Sequence, residues 1–258
     1  MYKPKLTLIT GASAGLGYEF SRLCANLGSD LILISRNNTK LIQIKENFEK
    51  EFKIKVYIIP CDLIKSESLN IVINYLKINN LYPNLFINNA GIGLYGNFIE
   101  SNIKIEEEMI HLNIFASTIL CNYILNRMLI NKNGIILNVS STVAFRQSPN
   151  WSVYAASKSY LYSLTKSLAL EFKKSGIKIF ALCPGKINTD FDKNAGNPDF
   201  NNKKKRSSEF IANYALNKIE KNKTIIIPGF ENKLKYMFFK YCPEIISNFI
   251  ISINNKKS

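Results

Sequence analysis

Ser141, Tyr154 and Lys158 are the side chains of this 258-residue sequence best spaced for joint chemistry: Tyr154 follows Ser141 by thirteen positions, and Lys158 follows Tyr154 by four. On a helix, a four-residue offset puts two side chains on one face, about 6 Å apart along the axis. An ammonium beside a phenol favours the phenolate, so a tyrosine that ordinarily ionises near pH ~10 becomes usable as an acid at neutral pH. A hydroxyl reaching in from a preceding strand end can hold a substrate oxygen against that phenol. A Tyr-x-x-x-Lys pair also occurs on many solvated helix faces, so it needs support from elsewhere in the chain.

That support begins at the N-terminus. Lys5 to Thr10 is a short apolar, β-branched run, as expected of a buried parallel strand. It is followed by Thr10-Gly11-Ala12-Ser13-Ala14-Gly15-Leu16-Gly17, and then by a helical pattern with Phe20, Leu23, Cys24 and Leu27 that Gly28 stops. Strand, glycine turn and helix open a dinucleotide-binding unit. Glycines let the backbone approach a pyrophosphate, and the helix N-terminus offers free N–H groups. The spacing is Gly-x-x-x-Gly-x-Gly, which a tight turn without a ligand could also explain.

The pattern continues as an alternation. It predicts strands at 5–10, 30–35, 55–60, 84–88, 133–140, 177–182 and 224–227. Between them it predicts helices near 15–27, 38–52, 66–79, 104–130, 152–174 and 207–221. Such alternation implies a single-domain α/β fold, a Rossmann-like doubly wound sheet of about seven parallel strands with helices on both faces. Ligands bind such sheets beyond the carboxyl ends of the strands, where the motifs above fall. Residues 186–206, rich in Asn, Asp, Gly and Lys, read as a long mobile loop. The expected division is a catalytic domain at 1–229 and a helical extension at 230–258.

Composition narrows the setting. A 47% hydrophobic content suffices for a large core. The five cysteines are scattered and odd in number, which indicates neither a disulfide framework nor a zinc site; no metal is expected. The first residues lead straight into a strand with no signal-peptide pattern, so a cytoplasmic location is the default expectation. Of the 34 basic residues 29 are lysine, so the net charge of +15 reads as a solvated surface and not as a nucleic-acid site, which would recruit arginine. His111, the single histidine, reads as a packed or surface residue within a helix.

The chain resembles the short-chain dehydrogenase/reductase superfamily over about residues 4 to 228. The turn at 10–17, Asp62, Asn88-Asn89-Ala90-Gly91, Asn113, Ser141, Tyr154, Lys158 and Pro184-Gly185-Lys186-Ile187-Asn188-Thr189 occur in that family's order and spacing. The resemblance implies carbonyl–alcohol interconversion with nicotinamide as hydride carrier. Tyr154 would be the general acid or base, and Lys158 would lower its pKa and hold the nicotinamide ribose. Ser141 would bond the substrate oxygen, and Asn113 would support a water connecting Lys158 to solvent. Gly11, Ser13, Leu16 and Gly17 would line the pyrophosphate, Asp62 and Leu63 the adenine, and Asn89, Ala90 and Gly91 the ribose and nicotinamide. Ile187 and Thr189, after the Pro184-Gly185 turn, would fix the carboxamide. The loop at 186–206 would cover the substrate.

Cofactor choice is read at the end of the second strand. A carboxylate there would bind the adenosine ribose diol and repel a 2′-phosphate. This chain has Ser35 and Arg36 instead, which can donate to a 2′-phosphate, so NADP(H) is expected over NAD(H). Many NADP-preferring relatives also carry a basic residue in the glycine turn, where this chain has Ala14.

After Gly229, Leu234, Met237, Phe238 and Tyr241 recur at helical spacing, and Pro243 can open a second helix with Ile245, Ile246, Phe249, Ile250 and Ile253 on one stripe. Three readings compete for this segment: a lid over an apolar substrate, an interface with a second subunit, or a membrane-surface contact helped by Lys233, Lys235, Lys240, Lys256 and Lys257. By analogy with relatives, the helices at 104–130 and 152–174 are expected to form a homodimer or homotetramer. The partner in catalysis would be a small carbonyl or alcohol, lipophilic if the apolar extension lines the pocket. A cofactor-binding regulator that keeps the fold without turnover is the alternative. The intact set of Asn113, Ser141, Tyr154 and Lys158 argues against it, since a non-catalytic protein has no chemical need of all four.

Overall fold

The computed structural model describes residues 2–201, 205–221, 223–243 and 245–246. The strands are β1 (Leu6–Thr10), β2 (Asp30–Ser35), β3 (Val56–Pro60), β4 (Leu85–Asn88), β5 (Gly134–Val139), β6 (Ile177–Leu182), β7 (Ile187–Asn188), β8 (Arg206–Ser207) and β9 (Ile225–Ile226). Seven form one parallel sheet in the order β3-β2-β1-β4-β5-β6-β9. Parallel strands covered on both sides are apolar at successive positions. In β1 Leu8 joins one core cluster and Ile9 the other; in β5 Ile136 and Leu137 divide the same way.

The helices are α1 (Gly15–Asn26), α2 (Asn38–Phe52), α3 (Ser66–Ile78), α4 (Ile103–Ile110), α5 (Ser117–Ile130), α6 (Ser152–Glu171), α7 (Phe191–Asn194), α8 (Ser208–Lys218) and α9 (Phe230–Tyr241). Phe20 of α1, Leu41 and Phe48 of α2 and Leu216 of α8 cover one sheet face; Val72 of α3 and Ile124 of α5 cover the other. Each such fully buried side chain contributes about 1.5–3 kcal/mol relative to exposure. The strand order reverses between β1 and β4, which opens a crevice at their carboxyl ends.

Two expectations change. The helix predicted as unbroken over 104–130 carries a π-helical turn at His111–Ala116 between α4 and α5. The segment 186–206, expected as a long mobile loop, holds β7, which pairs in parallel with β8 at its end as Ile187↔Arg206 and Asn188↔Ser207, together with α7 and a 3₁₀ turn at Pro198–Asn201. The pairing strands are two residues each and lie at opposite ends of the segment, so no local pattern announces them. The helical spacing after Gly229 forms α9. Phe249, Ile250, Ile253, Lys256 and Lys257 lie outside the described residues.

Candidate active site

The carboxyl end of β5 delivers two serines. Ser140 Oγ donates to the Lys158 carbonyl at 2.8 Å, tying strand to helix. Ser141 is extended, its Oγ accepting from Val143 N at 3.3 Å, and its hydroxyl lies beside the Tyr154 phenol. Tyr154 and Lys158 share a face of α6 and are 9% and 4% exposed. Lys158 Nζ donates to the Val139 carbonyl at 3.0 Å and lies 5.7 Å from the Tyr154 ring centroid.

Burial dominates the ionisation of both groups. It pushes the Tyr154 phenol up, against the pull of the neighbouring Ser141 hydroxyl and with the Asp192 charge adding to the rise. It pushes Lys158 down to about 8, with Cys183 acting the other way. The sequence reading expected the ammonium to lower the phenol. Here the loss of hydration at both groups outweighs that attraction, because desolvation penalises whichever form is charged.

Asn113 lies in the π turn, 1% exposed. Its Oδ1 accepts from Ile92 N at 3.0 Å, and its Nδ2 donates to the Ile92 carbonyl at 2.9 Å and to Ser157 Oγ at 3.0 Å. Ser157 Oγ in turn donates to the Tyr154 carbonyl at 2.7 Å. A Cβ on Gly91 would stand 3.0 Å from Asn113 Oδ1 and 3.1 Å from Lys158 Nζ, so Gly91 sits between those two groups. His111 packs against Phe115 with ring centroids 5.8 Å apart.

The glycine turn borders the same crevice. Gly11 adopts φ +66°, and a Cβ there would meet Asn89 Nδ2 at 3.0 Å; a Cβ on Gly17 would meet the Gly11 carbonyl oxygen at 2.1 Å. Only glycine fits this cradle. Thr10 Oγ1, which the sequence reading gave no role, accepts from both Asn89 N and Ala90 N at 2.9 Å and so locks the loop after β4 to the turn. Helix α1 starts from an extended Ala14 with no side-chain cap and no acid in its first turn. The N–H groups of Gly15, Leu16 and Gly17 therefore have no intrahelical acceptor. The Leu16 side chain packs into the core, leaving its backbone as the part able to serve an anion.

Further along, Ser13 Oγ and Ser35 Oγ lie 2.6 Å apart, joining the glycine turn to the end of β2, with Arg36 exposed beside them. Asp62 Oδ1 accepts from Ile64 N at 3.2 Å, and Leu63 is buried. The Pro184 carbonyl accepts from Thr142 N at 2.9 Å, and Gly185 abuts Asn232. Ile187 lies in β7, and a Cβ on Gly15 would touch Thr189 Cγ2 at 3.1 Å. A cradle that no side chain could occupy and uncapped amides fit the pyrophosphate of a dinucleotide.

The sequence reading missed the aromatic wall over the phenol. The rings of Trp151 and Phe191 each lie 5.3 Å from Tyr154 and are nearly parallel to one another, and Tyr95 packs on Trp151 at 5.5 Å. A Cβ on Gly93 would stand 2.8 Å from Phe191 Cζ. Next to Phe191 in the chain, Asp192 Oδ2 lies 2.9 Å from Lys205 Nζ, an ion pair. Trp151 was findable as the single tryptophan, three residues before Tyr154; Phe191 carries no comparable signal.

A family model described as short chain dehydrogenase matches residues 5–199. The 3-oxoacyl-[acyl-carrier-protein] reductase FabG of Rickettsia typhi is 34% identical over 186 residues, covering 72% of this chain and 74% of that protein. The 17-beta-hydroxysteroid dehydrogenase type 3 of Mus musculus is 31% identical over 192 residues, 74% of this chain but 62% of its own length. Among solved structures, a short-chain dehydrogenase from Sphingobium yanoikuyae in complex with NADPH superimposes with a TM-score of 0.85 and 28% identity over 91% of both chains.

Proposed function

The chain belongs to the short-chain dehydrogenase family, oxidoreductases acting on alcohol and carbonyl groups, and on that premise we propose that it reduces an aldehyde or ketone with NADPH, or runs the reverse oxidation. The observation that carries this reading is the Tyr154 phenol beside the Ser141 hydroxyl, with Lys158 Nζ 5.7 Å from the phenol ring centroid, next to the glycine-lined crevice. When bound, the nicotinamide would supply hydride to the carbonyl carbon, or take it from the alcohol carbon in the reverse direction. Tyr154 gives its proton to the carbonyl oxygen as charge develops there, and Ser141 donates a second hydrogen bond to the same oxygen.

A neutral, buried phenol suits that task, since a general acid must carry its proton when the substrate arrives. Lys158, with a pKa of about 8, can exchange a proton near neutrality and stands behind the phenol as its resupply. Asn113 fixes the main chain on both sides: Ile92 next to the nicotinamide crevice and, through Ser157, the turn of α6 bearing Tyr154. Gly11, Ser13, Gly17 and the α1 amides would hold the pyrophosphate; Ser35 and Arg36 would hold a 2′-phosphate. Trp151 and Phe191 would flank an apolar substrate.

The test is NADPH oxidation against aldehydes and ketones of increasing chain length. Turnover with at least one carbonyl supports the reading. Tight NADPH binding with no turnover of any carbonyl or alcohol sinks it in favour of a cofactor-binding regulator.

A further inference from the structure

Helix α9 has no buried residue along its length. At 100° per residue, Asn232, Tyr236 and Phe239 share the side toward the body of the molecule, where Tyr236 packs on Phe145 at 4.7 Å and the Arg146 guanidinium lies over Phe239. The opposite side carries Phe230, Leu234, Met237, Phe238 and Tyr241, which are between 41% and 72% exposed. These five fall within an arc of about 100°, centred about 180° from the anchored side. The apolar face therefore looks away from the protein.

Charged side chains edge this arc on both sides. Lys233 and Lys240 flank one side; on the other Glu231 stands next to Phe238 with Lys235 beyond it, and all three lysines are exposed. Lys233 also lies 5.7 Å over Tyr214, which joins the face to α8, where Arg206 and Lys218 sit over Phe210 and Tyr214. An apolar stripe whose rim carries three ammonium groups against one carboxylate, with aromatic rings inside the rim, matches an interface between hydrocarbon and anionic headgroups.

We propose that α9 docks this protein on an anionic phospholipid surface, with its five outward apolar side chains in the acyl region and Lys233, Lys235 and Lys240 at the headgroups. A second copy of the chain fits less well. A two-fold interface pairs a patch with itself, and this one would bring lysine onto lysine with Glu231 as the acid that α9 offers in return. The docking is independent of the reaction assigned above.

The test is flotation of the full-length chain with vesicles of phosphatidylcholine alone or with about one-third phosphatidylglycerol, at about 0.1 and 0.5 M salt. The chain is expected to float with the anionic vesicles and to lose about tenfold in partition on neutral vesicles or in the higher salt. Leu234→Glu with Met237→Glu, and separately Lys233→Glu with Lys235→Glu and Lys240→Glu, are each expected to lose about tenfold with an unchanged melting temperature. Equal flotation with both lipids, or with neither, overturns the proposal. So does a dimer that the same variants split while vesicle binding stays absent.

Discussion

Asn113 Nδ2 donates to Ser157 Oγ at 3.0 Å, so a widened turn in one helix is bonded to the helix that carries Tyr154. The π turn rotates Asn113 inward, and its amide then satisfies both backbone groups of Ile92 as well. π turns concentrate at functional sites because they re-aim a side chain at the expense of regular hydrogen bonding.

Asn113→Ala would leave the Ile92 N–H and carbonyl without their partner in a half-buried setting. A loss of about 1–3 kcal/mol is expected, read as a lower denaturant midpoint with an unchanged slope. An unaltered midpoint would mean that solvent or a neighbour replaces the amide.

Cofactor preference should follow Arg36. The Ser13–Ser35 hydroxyl pair leaves one O–H free beside it, and a hydrogen bond to a charged phosphate is worth about 1.5–3 kcal/mol. Arg36→Ala is expected to lower kcat/KM for NADPH about 10–100-fold while changing the value for NADH by less than about threefold. Higher efficiency with NADH in the unaltered chain would reverse the assignment.

Lys158 links stability to pH. Its folded value of about 8 lies below its ordinary 10.5, so between those values the unfolded chain holds a proton that the folded chain lacks. Through this lysine, stability rises with pH across that window; below about 8 both states are protonated and the folded state bears the full cost of a buried ammonium. Lys158→Met is expected to stabilise the protein at pH 7 by about 1–2 kcal/mol, partly offset by the Val139 carbonyl left without its donor, and to abolish turnover. The advantage should shrink as pH climbs from about 8 to 10.5. Cys24, Cys61 and Cys121, pushed up to between about 11 and 12 by burial, lower stability above pH 9 in both proteins and cancel in the comparison.

Two glycines should respond differently to alanine. At Gly17 the new Cβ meets the Gly11 carbonyl oxygen at 2.1 Å, and backbone must move; a loss of about 3 kcal/mol is expected. At Gly93 it meets the rim of Phe191 and Trp151, which can turn aside for about 1 kcal/mol. Because Trp151 is the single tryptophan, Gly93→Ala should shift the emission spectrum while Gly17→Ala weakens cofactor binding. Equal melting temperatures for the two variants would count against this contrast.

The strands were legible because apolar runs such as Leu6–Thr10 and Gly134–Val139 stand between polar turns, and both sides of a buried strand leave the same mark. The set of Ser141, Tyr154 and Lys158 was legible from spacing, since α6 translates a four-residue offset directly into a shared face. The π turn was not: Ile103 to Ile130 is continuously helical in pattern, and the inserted turn answers to Ile92 and Ser157, far away in sequence. Phe191 and Trp151 meet over Tyr154 from separate segments, a relation that only the folded chain creates. The shift at Lys158 depends on burial, which no neighbour in sequence reveals.

The most direct measurement is the single-turnover and steady-state rate of Tyr154→Phe with NADPH and the best carbonyl substrate of the unaltered chain. The phenyl ring keeps the contacts with Trp151 and Phe191 and removes the acidic hydroxyl alone. NADPH affinity is expected to stay the same while kcat falls about 10²–10⁴-fold, the contribution of a positioned general acid. A variant that turns over at the rate of the unaltered chain would contradict the account.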